Sequence, residues 1–131
     1  LIVKGKTREQ VCLVTDAMRA AGTDVQNSFL GPLQEAVPCI VEDGVAKLPD
    51  RSSFAGSVAT ADRLIRTMVK QAGVSVADAV YMMTAVPARM LGAHSKGALA
   101  VGKDGDIVIF DEDICIQNVI IGGKVYGDSD L

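Results

Sequence analysis

The sequence predicts an α/β arrangement that gives way, near residue 95, to a small β module, and three observations carry that prediction. A short apolar run without alternation, Val11-Cys12-Leu13-Val14-Thr15-Asp16-Ala17-Met18, ends abruptly in a carboxylate followed by small, flexible residues. Residues 58–72 place apolar side chains at helical spacing. After residue 95 the texture changes to brief β-like pieces cut by Gly- and Asp-rich turns.

Four consecutive apolar residues suit a strand covered on both faces, as in parallel sheets, where the loops after the strand C-termini carry chemistry. The run therefore predicts a buried strand that delivers Asp16 to a rim. The pattern leaves a second reading of Asp16 open: it caps its own turn by accepting a hydrogen bond from a nearby backbone N–H. Residues 19–27, rich in Ala, Gly and polar side chains, read as a rim loop.

Residues 37–41 and 45–48 are apolar and flank Glu42-Asp43-Gly44, and Asp-Gly before a second apolar run signals a hairpin. Phe54-Ala55-Gly56-Ser57 then precedes the clearest helix, in which Val58, Ala61, Leu64, Ile65, Met68, Val69 and Ala72 form one face, Ser57 is the expected N-cap and Gly73 follows the end. Ser75 and Asp78 form a capping-box pattern for a second helix that Pro87 interrupts, with a short helix over 87–91 stopping at Gly92. Beyond it, 98–101, 107–110, 114–121 and 124–126 read as strands, so the chain divides into an α/β part, 1–95, and a β tail, 96–131.

The 131 residues suffice for one domain with a proper core. The chain opens on Leu1 rather than Met, and Leu1-Ile2-Val3 followed by a polar run reads as the middle of an element, so a fragment or processed chain is expected. A net charge of −3 supplies no clustered Lys and Arg for a phosphate backbone, which argues against nucleic-acid or anionic-membrane partners. No apolar stretch approaches the ~20 residues that span a bilayer and no signal peptide opens the chain, so a cytoplasmic protein acting on a small molecule is expected. Cys12, Cys39 and Cys115 are odd in number and far apart, and are read as small buried hydrophobes. With His94 the only histidine, no HxH or HExxH motif exists, and a transition-metal site would need ligands from elsewhere.

Four pieces taken together, Leu13-Val14-Thr15-Asp16-Ala17-Met18, Phe54-Ala55-Gly56-Ser57, Pro87-Ala88-Arg89-Met90-Leu91-Gly92 and Gly102-Lys103-Asp104-Gly105-Asp106-Ile107-Val108, resemble the C-terminal part of N-acetylglucosamine-6-phosphate deacetylases, of the amidohydrolase superfamily. The Pro-Ala-Arg and Gly-Lys pieces are general to amidohydrolases, whereas Thr-Asp-Ala-Met with Ala-Gly-Ser some forty residues later is specific to the deacetylase branch. The resemblance covers nearly the whole chain. It implies the C-terminal part of a metal-dependent (β/α)8 barrel over 1–95, followed by strands of a small β-sandwich over 96–131. It also implies a divalent metal, zinc or iron, held by residues upstream of this chain, an amino-sugar phosphate as substrate, and a homodimer.

By the same resemblance, Asp16 matches the catalytic aspartate, the group that takes a proton from the attacking water and returns it to the departing amine. A divalent metal would lower the pKa of that water from ~16 toward ~7. Phe54, Ala55 and Gly56 match the loop that contacts the sugar phosphate, with Gly letting backbone approach the ligand. Read from pattern alone, the same residues are a turn before the helix, with Phe54 packed in a core. Arg19 is read as a solvated charge that could reach a phosphate, His94 as a turn residue, Arg89 as structural, and Met82, Met83 and Met90 as core filler. Val86 stands where the family often has a capping Asn.

The expected activity is deacetylation of N-acetylglucosamine 6-phosphate to glucosamine 6-phosphate and acetate. A sister enzyme acting on N-acetylgalactosamine 6-phosphate or a cyclic amide is the near alternative. A receiver-type phosphoacceptor is disfavoured because only Glu9 precedes Asp16 where an acidic pair is needed. The isolated chain is itself expected to be inactive, a structural or dimerisation fragment.

Overall fold

The computed structural model describes residues 1–127. In chain order the regular elements are α1 (Ile2–Gly5), β1 (Asn27–Leu30), β2 (Val37–Glu42), β3 (Val45–Lys47), α2 (Ala61–Lys70), α3 (Val76–Met83), α4 (Ala85–Met90), β4 (Ile107–Phe110), β5 (Ile116–Ile121) and β6 (Lys124–Tyr126). They belong to two compact units, one made of Val14–Leu64 and the other of Leu1–Leu13 with the described residues from Ile65 onward.

The unit over Val14–Leu64 is built on an antiparallel sheet of order β1-β2-β3. Asp43 and Gly44 have φ of 54° and 71°, so both central residues of the β2–β3 turn are left-handed, as a two-residue type I′ loop requires. The Asp-Gly signal is borne out, with Glu42 paired to Val45 across it. Strand β1 was not foreseen: four residues ended by Gly31-Pro32 are too few to show a period. Its register, Ser28 opposite Cys39, turns Cys39 inward onto Ala46 and Ala55. These three small residues are the core, and Met18, Leu30, Val41, Leu48 and Val58 close around them.

The expected buried strand over 11–14 does not form. No residue of this run pairs in a ladder; Leu13 N donates to Met82 O at 3.0 Å, and Val14 is 66% exposed. A strand covered on both faces needs neighbouring strands for its N–H and C=O groups, and among the described residues no strand lies alongside this run, the Leu13–Met82 bond being a single contact with a helix.

In the other unit, Ile65, Ala79 and Ile114 form the core, flanked by Leu13, Met68, Val69, Val80, Met83 and Phe110. Helix α2 ends where predicted, with Gly73 left-handed at φ 68°. Helix α3 is capped as predicted, the Ser75 hydroxyl accepting from Asp78 N at 3.1 Å. The break before α4 falls at Thr84, three residues earlier than the prolines rule suggests, because Pro87 sits inside the first turn of α4, where its missing N–H costs nothing. Residues 98–101 form no strand, and Val101 is fully exposed. Met82 is buried, but Met90, the last residue of α4, is 71% exposed and fills no core. Cys39 is buried, Cys12 half-buried and Cys115 exposed, so the reading of all three as buried hydrophobes fails for Cys115, next to Ile114, which takes the core position.

The second sheet, β4-β5-β6, is antiparallel, and Gly122-Gly123, both left-handed, turn β5 into β6. Asp106 ties this turn down by accepting Gly122 N at 2.8 Å while Lys96 pairs with the same carboxylate, which lowers its pKa. Gly97 packs against α4 so tightly that a Cβ would lie 2.8 Å from Ala88 Cβ and 3.0 Å from Ala85 Cα, and its φ is +82°.

Gly97→Ala is therefore expected to destabilise the protein by about 2 kcal/mol or more, read as a lowered urea midpoint, since it adds both backbone strain and a clash with helix backbone. Asp78 is held below the ordinary carboxylate range by Arg8, 2.9 Å away, and by the Ser75 hydroxyl. A depressed native pKa means stability that is present above the unfolded Asp value and lost as pH falls through the native one. Asp78→Asn should flatten the fall in stability below about pH 4, measured as melting temperature against pH.

Candidate active site

The site begins with a turn. Asp16 is exposed and adopts φ 48°, a left-handed conformation that Asp tolerates better than most residues. Among the described residues its carboxylate accepts no hydrogen bond, so the turn-cap reading finds no donor. The next residue, Ala17, forms a parallel bridge to Ser57, and Met18 N donates to Ser57 O at 2.8 Å. Residues 18–23 then fold back in successive turns: Ala21 N donates to Met18 O at 2.9 Å and Thr23 Oγ1 to Ala20 O at 2.9 Å.

The facing segment is prepared by the hairpin. Glu42 receives Arg51 through two hydrogen bonds, of 2.8 and 3.1 Å, and Lys47 at 3.1 Å. Arg51 first, then Lys47, pulls the Glu42 carboxyl below its ordinary range. Arg51 N donates to Leu48 O and Leu48 N to Ser53 O, and Asp50 accepts from Ser52, so residues 48–53 form a closed loop. Out of it come Phe54, bridged to Lys47, and Ala55, whose N donates to Ala46 O at 2.9 Å.

Phe54 is 76% exposed, which excludes the core-packing alternative, while Ala55 is buried in the small-residue core. Gly56 is exposed with φ 86°, and a Cβ there would meet Met18 Cβ at 3.3 Å and Leu30 Cδ2 at 3.4 Å. Ser57 is not the helix N-cap. Its carbonyl holds Met18 and its hydroxyl accepts Ala59 N at 3.0 Å, so the helix starts at Ala61, with Thr60 O taking the first helical bond and the Thr60 hydroxyl donating to Asp62. A threonine just before the helix, with the acidic Asp62 in its first turn, was the legible signal for that start.

The structure thus brings the Asp16 turn beside residues 54–57, although nearly forty residues separate them in sequence. Arg19 is spent on Gly31 O at 2.6 Å, and Arg89 on Glu9 O at 2.7 Å. His94 is exposed in a turn, its carbonyl accepting the Lys103 ammonium. Met18 and Ser57, which sequence reasoning gave no site role, are what join the two segments. Among the described residues no group of three or more His, Cys, Asp and Glu could hold a metal ion, so these residues do not by themselves fit a metal centre. Among the described residues no helix is long and apolar enough to cross a membrane.

The sequence model of the amidohydrolase family matches residues 8–126. A putative N-acetylgalactosamine-6-phosphate deacetylase of Escherichia coli K12 is 35% identical over 120 residues, covering 90% of this chain and 68% of that protein. The N-acetylglucosamine-6-phosphate deacetylase of Mus musculus is 33% identical over 115 residues, 86% of this chain but 27% of that protein. Among solved structures, a mutant N-acetyl-D-glucosamine-6-phosphate deacetylase of Mycobacterium smegmatis, in complex with N-acetyl-D-glucosamine-6-phosphate, superposes with a TM-score of 0.79 at 32% identity, over 90% of this chain and 31% of that one. The chain thus spans less than a third of the length of the mouse relative and of the solved mycobacterial chain.

Gly56→Ala is expected to cost about 1–3 kcal/mol, from the left-handed φ and the contact with Met18, measured by chemical denaturation.

Proposed function

The chain belongs to the amidohydrolase family, and from that premise we propose that the whole protein deacetylates N-acetylglucosamine 6-phosphate, giving glucosamine 6-phosphate and acetate. The observation that carries the proposal is the pairing of an exposed carboxylate that accepts no hydrogen bond among the described residues, Asp16, with the loop of Phe54, Ala55 and Gly56 through the Ala17–Ser57 bridge. A carboxylate that caps its own turn is already committed; one left open to solvent can exchange protons with a substrate. The names of the relatives, two curated amino-sugar-phosphate deacetylases and one solved with such a sugar, support the substrate class.

In this reading Asp16 accepts a proton as water oxygen bonds to the acetamide carbonyl carbon. It returns that proton to the amide nitrogen as the C–N bond breaks, so acetate and a free amine leave and the carboxylate is regenerated. Gly56, without a Cβ, offers its backbone to the sugar phosphate; Ala55, its N–H taken by Ala46 O, holds that glycine in place from the core, and the exposed ring of Phe54 offers an apolar surface beside it. A divalent metal, zinc or iron, belongs to the same reading, with ligands outside these 131 residues. So do a (β/α)8 barrel to which residues 1–95 contribute, a β-sandwich to which 96–131 contribute, and a homodimer.

A second reading has a specific observation in its favour. The Escherichia coli K12 relative, 35% identical, carries the galactosamine name, against 33% for the mouse glucosamine enzyme, so N-acetylgalactosamine 6-phosphate is the competing substrate.

The test is acetate release from each sugar phosphate by the whole, metal-supplemented protein. Asp16→Asn is expected to lower kcat by roughly 100-fold or more. Full activity in that variant would remove Asp16 from the chemistry; no acetate from either sugar would remove the deacetylase reading.

A further inference from the structure

Among the described residues nothing tethers the Asp16 side chain, so where its carboxylate stands depends on the backbone that carries it, and the backbone that follows it is fixed chiefly through Met18. Three bonds and one contact meet there. Met18 N donates to Ser57 O at 2.8 Å, Met18 O accepts Ala21 N at 2.9 Å, and its sulfur accepts Ala20 N at 3.1 Å. Its side chain lies on the Cys39, Ala46 and Ala55 core, with its Cβ and Cγ close to the place a Gly56 Cβ would occupy. Gly56 in turn is left-handed and bare, which lets the 54–57 segment approach Met18 this closely.

We infer that Met18 is a positioning residue for Asp16: by anchoring the chain two residues downstream to the Ser57 carbonyl and to the small-residue core, it fixes where the Asp16 carboxylate stands relative to the Phe54, Ala55 and Gly56 loop. The inference rests on the proposed role of Asp16. A misplacement of about 1 Å can cost 10²-fold in rate without weakening substrate binding in proportion. Shortening Met18 keeps its N–H bond to Ser57 but removes the core contact and the sulfur acceptor, which loosens the turn carrying Asp16 more than the 54–57 segment, held independently by Ala55 N to Ala46 O and by the Phe54–Lys47 bridge. Its effect therefore falls on kcat rather than KM. Leucine, of similar volume and with the same backbone N–H, keeps both the anchor and the core contact and lacks only the sulfur acceptor.

The experiment measures acetate release by the whole, metal-supplemented protein as Met18→Ala, Met18→Leu and Asp16→Asn, each with a thermal melt. The inference expects Met18→Ala to lose at least about tenfold in kcat, with KM within about twofold of the parent, and Met18→Leu to restore kcat to within about threefold. If Met18→Ala is not recovered folded, Met18→Val takes its place under the same criteria. A kcat within twofold of the parent in the shortened variant, a loss carried by KM, or a failure of leucine to restore kcat overturns the inference. Those results alongside an inactive Asp16→Asn would sink the Met18 role alone, whereas an active Asp16→Asn would sink the functional reading beneath it.

Discussion

One backbone hydrogen bond, from Met18 N to Ser57 O, closes the excursion that contains the whole first sheet. Closing a loop of this length carries an entropic penalty that grows only slowly with its length, so the excursion can hold three strands, the tight β2–β3 turn and the longer β1–β2 connection at little extra cost. What offsets the penalty is the packing inside it. The β1–β3 sheet lays Cys39 and Ala46 against Ala55, and the residue after Ala55 is the glycine that allows Met18 to come close. Without that closure Asp16 and residues 54–57 would be unrelated stretches of chain.

Much of the local structure was legible because local chemistry dictates it. Asp43-Gly44 can turn a hairpin with little strain, and both residues are left-handed as that turn demands. Gly73 and Ser75 mark a helix end and a helix start for reasons of backbone freedom and hydroxyl capping that need no tertiary context. The misreadings have the opposite character. Residues 11–14 have the composition of a buried strand, but a strand exists only through its neighbours, and none of the described residues pairs with them. Ser57 could have capped a helix; a long-range partner, Met18, claimed its carbonyl and moved the helix start to Ala61.

The candidate site was legible in a different way. Residue patterns alone left Asp16 as either a turn cap or a rim carboxylate, and left Phe54 as either core or surface. Family resemblance, not periodicity, singled out both together. The geometry then decided the local questions: Asp16 accepts no hydrogen bond within the described residues, and Phe54 is exposed. Met18 lies inside the Thr-Asp-Ala-Met piece that carries the resemblance, but residue pattern gave it no role of its own, because its contribution is a main-chain bond to Ser57 and contacts with a glycine and a small-residue core that only the fold brings to it.

The core under the first sheet is made of Cys39, Ala46 and Ala55, side chains with one heavy atom beyond Cβ or none. Such a core gains little from each residue buried, yet it loses almost no rotamer entropy on ordering, so its rigidity comes from how closely the backbones approach. It also makes mutational drift one-sided. At Ala46 and Ala55 there is almost nothing to truncate, and nearly every single-residue change adds volume, prising the sheet away from the segment that follows it.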